Sequence, residues 1–467
     1  MTTTVRMTTT VRRWIEANEP PVQMNVFRRL VGAIVVKDLL VVNMPMTIFD
    51  RRGTFSLPFF TWLPRPHVGA ASDLIAFALL VFAFVCALAM IAGRAARLAT
   101  AALWSLYAYA FCSDQLSYTN NVFLLLCALG LIVVEPTDLP RRATVWPRRL
   151  GQLLLTFVYA TAAIVKLDPR WISGAILHDA LFHYHVVYPK LVGWDHPLAI
   201  QIAAMATIAV ESFLAFGLWF RRTRTVAIVV GCAFHLGIEA MLPVRMFSFL
   251  CMASYVLFVP RGALSKLVRF RSRFHPAPLL AVAIGAGVAI DVLCRNVFKV
   301  LDIPESNRAA LAIACIVFAI GFRQRASFER LVRLRPSLPM QMRTPVVIAL
   351  VALEAFLVVK PRFGFTGRFA WRMFAEISRL RVEAFVADEH GWRPIALDGA
   401  RLEDGRPRWR SRELDFAWDS WAEERIELEG YGRWLLQQHQ ELAAVRLVCE
   451  HARNEEPAVI DELVVTR

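Results

Sequence analysis

Long apolar stretches, separated by short polar and arginine-rich segments, occupy the first 360 residues of the chain. A helix of ~20 apolar residues crosses the ~30 Å hydrocarbon core of a membrane. The pattern predicts an all-α polytopic transmembrane helical bundle of about eight to eleven spans, because a soluble helical bundle, the alternative, could not bury so many such stretches. The predicted spans are residues 26–46, 72–93, 98–113, 121–135, 150–166, 198–220, 225–242, 246–260, 278–294, 309–322 and 344–359.

The pattern changes at about residue 361, where charged residues become frequent and long apolar runs stop. The segment LRVEAFVADEHGWRPIAL predicts two strands around a glycine-containing turn, and WAEERIELEGYGRWLLQQHQELAAVRLVCEHA combines helix and strand signals. We therefore predict an extramembrane α+β domain over residues 361–467, in which Cys449 is unpaired. Residues 26–360 form the transmembrane helical domain, and residues 1–25, which begin with a repeated MTTTVR unit, form a disordered tail.

The charge of the chain fits a membrane protein better than a nucleic-acid-binding protein. Its formal net charge is +15, but the positive residues cluster in short loops between apolar runs. If the N-terminus is cytoplasmic, the loops on that side carry most of the Lys and Arg residues of this region. The sequence therefore predicts a multi-pass protein of the cell membrane, with residues 167–197 and the C-terminal domain outside, membrane lipids as partners and no nucleic acid.

The cysteines and the acidic residues of the spans give no metal-site pattern. Eight cysteines are scattered without a CxxC pair, and most lie inside apolar runs. They are predicted to be small buried apolar side chains, so no disulfide framework and no metal are expected.

Ionisable residues inside membrane spans are energetically costly, and they either form structural pairs or belong to a functional site. We assign structural or interfacial roles to Lys37, Asp38, Glu211, Asp291 and Glu354.

Histidines offer two further candidate sites. His235 and Glu239 are spaced i, i+4 and share one helix face, which suits a metal, a proton relay or a hydrogen-bonded core histidine. A second, weaker metal candidate lies in the histidine-rich segment between the fifth and sixth spans, where two of the histidines share a face only in an extended strand. Its members are His178, His183, His185 and His196.

Lys166 ends an apolar run and is followed by Asp168 and Pro169, which stop a helix. A lysine at the end of a span commonly extends its ammonium group to the lipid headgroups. A lysine held in an apolar site instead loses hydration, so its neutral amine becomes accessible and can act as a general base. Position alone favours the first interpretation.

Several segments, in order, resemble vitamin K-dependent gamma-carboxylases and their bacterial relatives, the HTTM (horizontally transferred transmembrane) proteins. KLDPRWISG at 166–174 is similar to the Lys-Leu-Asp-x-x-Trp-x-x-Gly segment of that family. DQLSYTNN at 114–121 resembles its Asp…Asn-His segment, and the stretch 235–258 resembles its His…Met-Phe segment. FAWRMFAEIS at 369–378 resembles the Trp-Arg-Met segment, and Arg28 fits an arginine of the first span.

The resemblance implies a reaction and a set of site residues. In the family, the lysine at the position of Lys166 deprotonates a reduced naphthoquinone of the menaquinone or vitamin K type. Reaction with dioxygen then generates the strong base that prepares a glutamate for carboxylation. The implied catalytic residues are Lys166, Asn121 and His235, and the implied substrate-binding residues are Asp114, Asn120, Asp168, Trp171 and Arg372. Asn121 stands where the carboxylases have histidine, and it cannot shuttle a proton.

Two functional hypotheses follow from these residues. The first is a membrane enzyme, carboxylase- or oxygenase-like, that uses a lipid quinol or another lipid-soluble substrate, and a peptide or protein substrate, with Lys166 as base. The second is a non-catalytic membrane scaffold, immunity or partner-binding protein, which Asn121 and the short outer domain favour. A transporter is a weaker third option, because no internal repeat of hydropathy is visible.

Overall fold

The structure is a computed structural model that describes the helical part of the chain and the C-terminal domain in separate stretches. Two predicted spans, 278–294 and 309–322, lie outside the described residues, as do Asp291 and Arg372. The described residues are 14–41, 57–60, 62, 72–115, 119–135, 143–187, 196–241, 244, 246–264, 340–359, 378–388, 390–397, 415–417, 421–453 and 457–467.

Helices make up most of the described chain and coincide, within a few residues, with the predicted spans that can be compared. In chain order they are α1 (Val22–Val41), α2 (Ser72–Ala92), α3 (Ala96–Ser113), α4 (Asn120–Val134), α5 (Trp146–Val165), α6 (Pro169–Ile172), α7 (Ala175–Val187), α8 (Pro197–Gly217), α9 (Arg224–Met241), α10 (Phe247–Ser254) and α11 (Met340–Val359). A 3₁₀ turn, Tyr255–Leu257, follows α10.

Local sequence explains where several helices begin. Thr119 caps α4 by accepting a hydrogen bond from the Val122 N–H, and Asp168 caps α6 in the same way. Proline occupies the first turn of α5, α6 and α8, where its missing N–H costs nothing. One helix among the described residues, α8, is long and apolar enough by itself to cross a membrane, so the number of spans stays a prediction.

The helices pack into one bundle, in which α1 runs antiparallel to α2 and α5 runs antiparallel to α8. Gly32 of α1 lies against Ile91 of α2, and the Arg28 guanidinium donates a hydrogen bond to the Met90 carbonyl. We call the end formed by the last turns of α1, α3, α5 and α9 the Lys166 end. The opposite end, formed by the first turns of the same helices, is the Arg148 end. The shared core includes Phe27, Leu103, Leu125, Tyr159 and Leu214.

The C-terminal domain is an antiparallel sheet covered by one helix. Its strands are β3 (Ser378–Asp388), β4 (Gly391–Ile395), β5 (Asp415–Ala417), β6 (Ala444–Arg453) and β7 (Val459–Thr466), and its helix is α12 (Trp421–Gln438). The order is β4-β3-β6-β7, with β5 also pairing with β3. The predicted pair of strands is confirmed, and Gly391 has the φ of +103° that its turn requires. Burial raises the pKa of the unpaired Cys449 thiol to about 12.

Two expectations about connecting segments are corrected. Residues 14–25 do not form a disordered tail, because Ile15 is buried and a short strand, β1 (Asn18–Glu19), pairs with β2 (Ala143–Thr144). The segment 167–197, predicted to be an external loop, contains the helices α6 and α7. His183 and His185 lie on α7 and not on the extended strand that the metal interpretation required.

Candidate functional site

Lys166 is buried inside the bundle. It caps the end of α5, is 2% exposed, and its Nζ lies 2.8 and 2.9 Å from the two carboxylate oxygens of Glu211. Nζ also donates to the Ala162 carbonyl, one turn back along α5, at 3.4 Å. Side chains on a helix lean toward its N-terminus, so this lysine points into the bundle and away from the nearby helix end. The headgroup interpretation that position favoured is wrong.

Glu211 is the partner that sequence reasoning assigned only a structural role. It is buried on α8 and is the one ionisable residue in the sequence of that helix. A lone carboxylate on an apolar helix needs a partner on a neighbouring helix, and that was the available signal. The identity of the partner required the fold, because α5 and α8 are 45 residues apart at the paired positions.

The KLDPRWISG segment forms the corner that fixes this geometry. The Trp171 ring lies 5.2 Å from Nζ of Lys166, and its Nε1–H donates to the Ala204 carbonyl of α8 at 3.1 Å. Gly174 has a φ of +87°, and a Cβ there would lie 3.1 Å from the Gln201 backbone nitrogen. Trp171 therefore joins this corner to α8 by a hydrogen bond, and Gly174 allows the close approach of the two backbones.

Asp168 supports the same corner from outside. Its carboxylate accepts hydrogen bonds from the Arg170 backbone N–H at 2.9 Å and from the Arg170 side chain at 3.1 Å. These contacts show that Asp168 caps α6. The contacts of Trp171 described above show that Trp171 packs against α8. Substrate binding by either residue stays a prediction.

A second polar cluster lies deeper in the bundle, around the Tyr159 hydroxyl. Hydrogen bonds join this hydroxyl to Nε2 of His235 at 2.6 Å and to the Tyr255 hydroxyl at 2.5 Å. The Cys251 thiol also lies near this hydroxyl. Nδ1 of His235 is buried and has no hydrogen-bond partner among the described residues. A buried, unsatisfied nitrogen is a position where a ligand polar atom is expected.

The two polar clusters adjoin one another. Tyr159 and Lys166 are seven residues apart on α5, so they lie on one side of that helix, and Nζ reaches back toward Tyr159. Gly231 of α9 lies against both Tyr255 and Leu214, and Leu214 is three residues from Glu211 on α8. Together the clusters form a polar region, enclosed by α5, α8, α9 and α10, within an otherwise apolar core.

Glycine makes room for part of this region. Gly231 of α9 lies against the Tyr255 hydroxyl, and a Cβ on this residue would overlap that oxygen. Gly237, on the same helix, has open space around it. The first glycine therefore belongs to the site, whereas the second does not.

Three further ionisable residues near the Lys166 end, Lys37, Asp38 and Glu239, contact neighbouring helices. Nζ of Lys37 lies 4.0 Å from a Glu239 oxygen, and the Tyr107 hydroxyl donates to the Asp38 carboxylate at 2.6 Å. The structural interpretation of Lys37 and Asp38 is confirmed. Glu239 thus binds a lysine instead of joining His235 in a metal site, and no cluster of three potential metal ligands occurs among the described residues.

The expected substrate-binding residues Asp114 and Asn120 and the expected catalytic residue Asn121 lie at the Lys166 end but outside the Lys166–Glu211 pair. Asp114 is buried and accepts a hydrogen bond from the Leu57 backbone N–H at 3.1 Å, and Leu57 packs against the core of the C-terminal domain. Asn120 and Asn121 open α4 and are half-buried. Asp114 therefore anchors the contact between the bundle and the C-terminal domain.

Comparison with known proteins gives one family match. A family model described as an HTTM domain matches residues 17–262, which is more than half of the chain and includes the whole polar region. No curated protein and no solved structure matches the chain.

Proposed function

The chain belongs to the HTTM domain family, and from this premise we propose that it is a multi-pass membrane protein whose Lys166–Glu211 pair exchanges a proton with a lipid-soluble substrate. The family is membrane-associated and related to the vitamin K-dependent carboxylases. In this proposal the Arg148 end faces the cytoplasm, and the Lys166 end and the C-terminal domain face outward.

Apolar side chains on the outside of the bundle support the multi-pass placement. Four helices expose large apolar residues, many of them more than half exposed, and soluble monomers rarely expose patches of this extent. A lipid environment would cover them. These side chains are Phe77, Phe82 and Val85 of α2, Ile202, Met205 and Phe216 of α8, Val226, Val229 and Leu236 of α9, and Ile348, Leu353 and Phe356 of α11.

The chemistry of the pair supports proton exchange. Transfer of one proton from the Lys166 ammonium to the Glu211 carboxylate leaves a neutral amine and a neutral acid, so the buried region separates no net charge. The amine can then accept a proton from an acidic substrate hydroxyl, and the renewed ammonium can stabilise the negative charge left on that oxygen. Glu211 therefore holds the proton that Lys166 gives up, and Lys166 becomes a neutral amine.

The surroundings of the pair fit a weakly acidic substrate with an apolar body, such as a reduced naphthoquinone. The buried Nδ1 of His235 offers a second polar contact, and Trp171 supplies an aromatic surface beside Nζ. A bound quinol of this type would supply an acidic hydroxyl and reducing electrons. The residues of the chain would orient it, exclude water and hold the exchanged proton at Nζ of Lys166.

The decisive test uses purified protein in lipid nanodiscs with a reduced menaquinone-type quinol. Oxygen uptake and quinone epoxide are measured for the wild type, for Lys166→Ala, and for Gly237→Ala as a matched control outside the site. We expect epoxide from the wild type and from Gly237→Ala, and none from Lys166→Ala. Turnover that persists in Lys166→Ala contradicts the proposed role of the lysine.

A non-catalytic role is the second candidate, and Asn121 favours it. An asparagine in the first turn of α4 can donate a hydrogen bond but cannot transfer a proton as histidine does. Asn121→His separates the candidates: quinol-dependent oxygen uptake gained only in this variant indicates a site that is otherwise intact. Quinol binding without turnover in both proteins favours the non-catalytic role.

A further inference from the structure

Four arginines converge at the Arg148 end of the bundle. Arg148 and Arg149 lie in the first turn of α5, Arg224 opens α9, and Arg261 follows α10. Arg148 and Arg149 lie close enough to Arg224 and Arg261 for their charges to repel. The helix dipole adds further positive potential at the start of α5. Like charges gathered in this way need negative groups nearby.

The negative groups among the described residues are fewer than the arginines. One Glu19 oxygen binds two of them, Arg148 at 2.8 Å and Arg261 at 2.6 Å, and buried Glu135 also interacts with Arg148. Arg224 donates to two backbone carbonyls at the end of α8, each at 3.0 Å. Within the described residues, four guanidinium groups therefore face two carboxyl groups.

Arg149 forms no direct ion pair within the described residues, although the charge of Glu19 acts on it. Its Nη1 donates to the neutral Gln152 side chain at 3.0 Å, and its guanidinium group lies 4.7 Å from the centre of the Trp14 ring. The Nε atoms of Arg148 and Arg149 are buried and have no hydrogen-bond partner there. The cluster thus has both excess positive charge and unused donors, which are what an anion would satisfy.

We propose that this cluster, centred on Arg149, binds a phosphate group, either from an anionic phospholipid headgroup or from free phosphate. Guanidinium groups match phosphate oxygens in geometry and charge. Basic pockets between helices at the cytoplasmic surface bind anionic headgroups. The lipid source rests on the membrane placement proposed above, whereas binding of free phosphate does not.

Glu19 supports the proposal because it is an internal anion already held by the cluster. The segment that carries Glu19 also carries Trp14. The Trp14 ring contacts the Arg149 guanidinium group on one side, and its centre lies 6.2 Å from the centre of the Trp219 ring. This arrangement leaves Arg149 beside an apolar surface, as expected for a contact with a lipid headgroup and the start of its chains.

The test uses the full chain in nanodiscs of phosphatidylcholine alone or mixed with phosphatidylglycerol. Native mass spectrometry measures retained phosphatidylglycerol for the wild type, for Arg149→Gln, and for Arg222→Gln, which removes the same charge from an exposed position near the same end. We expect at least about fivefold lower retention in Arg149→Gln, since this variant loses a charge-assisted hydrogen bond to the bound phosphate, which contributes about 1.5 kcal/mol. Arg222→Gln should resemble the wild type.

A parallel titration distinguishes the two sources of phosphate. Inorganic phosphate is added to protein in phosphatidylcholine nanodiscs, and the melting temperature is followed. A rise that Arg149→Gln abolishes identifies free phosphate as the ligand. A rise that occurs only with phosphatidylglycerol identifies the lipid headgroup.

Glu19→Gln provides a second variant with the opposite expected effect. Removing this carboxylate frees Arg148 and Arg261, so retention of phosphatidylglycerol or the response to phosphate should increase. Equal losses in Arg149→Gln and Arg222→Gln, or no increase in Glu19→Gln, overturn the proposal. None of these measurements depends on turnover at Lys166, so failure here is distinguishable from failure of the proposed enzymatic function.

Discussion

The two ends of the helical bundle each hold a glutamate bound to basic side chains, in opposite settings. At the Lys166 end, Glu211 is 8% exposed and places both oxygens on a single ammonium group. At the Arg148 end, Glu19 is 23% exposed and shares one oxygen between two guanidinium groups. The first pair is dry and balanced in charge, whereas the second belongs to a partly hydrated cluster with excess positive charge.

This difference indicates what each end can do. A balanced pair in a dry region can move a proton internally, because neither state leaves a net charge in the core. A cluster with excess positive charge near water cannot become neutral by an internal proton transfer, but it attracts an anion from solution or from a lipid. Burial and charge count, more than residue type, thus separate a proton-exchange site from an anion-binding site.

The largest expected effect comes from breaking the dry pair. Glu211→Gln leaves a buried ammonium group without its carboxylate, which should lower the free energy of unfolding by about 3–5 kcal/mol. Thermal unfolding in nanodiscs measures this loss. The double variant Lys166→Met with Glu211→Leu replaces both charges by apolar side chains and should unfold close to the wild-type temperature. A double variant as unstable as Glu211→Gln would contradict the assignment of a buried ion pair.

A smaller effect is expected from crowding the polar region beside the pair. Gly231→Ala introduces a methyl group where the Tyr255 hydroxyl lies, so it should cost about 1–3 kcal/mol. Gly237→Ala, on the same helix with open space, should be neutral or stabilise by up to about 1 kcal/mol through helix propensity. Melting temperatures of the two variants test this contrast, and equal values would mean that the Tyr255 contact does not restrict position 231.

The smallest effect is expected at the Arg148 end. Glu19→Gln makes the same chemical change as Glu211→Gln, yet it should cost less than about 1 kcal/mol, because partly exposed ion pairs contribute little. The loss should shrink further as salt is added, since salt screens exposed charges. Denaturation at two salt concentrations checks both points. A loss comparable to that of Glu211→Gln would remove the distinction between the two ends.

Sequence patterns predicted the helices well because burial in lipid or in a bundle requires long apolar runs. The bounds of α2, α4 and α9 match the predicted spans to within two residues. The hairpin of β3 and β4 was also predictable, because Gly391 and the alternation of apolar residues mark it locally. The short helix α7 was missed, since a span of histidines and aromatic residues carries no clear period.

The candidate site was predictable only in part. The sequence singled out Lys166 and His235, yet it gave Lys166 a position at the headgroups and gave Glu211 no functional role. Both errors concern where a side chain points and which helix lies opposite. Asp114 shows the same limit, since its contact with Leu57 joins segments that are 57 residues apart.

The sequence alone determined the type of most elements, the family and several of the residues that carry unusual chemistry, because these depend on local composition and spacing. The tertiary structure decided the partners: Glu211 for Lys166, Tyr159 for His235, and Glu19 for Arg148 and Arg261. The physical reason is that the energy of a charge depends on its distance from other charges and on its exclusion from water, and helix packing sets both quantities.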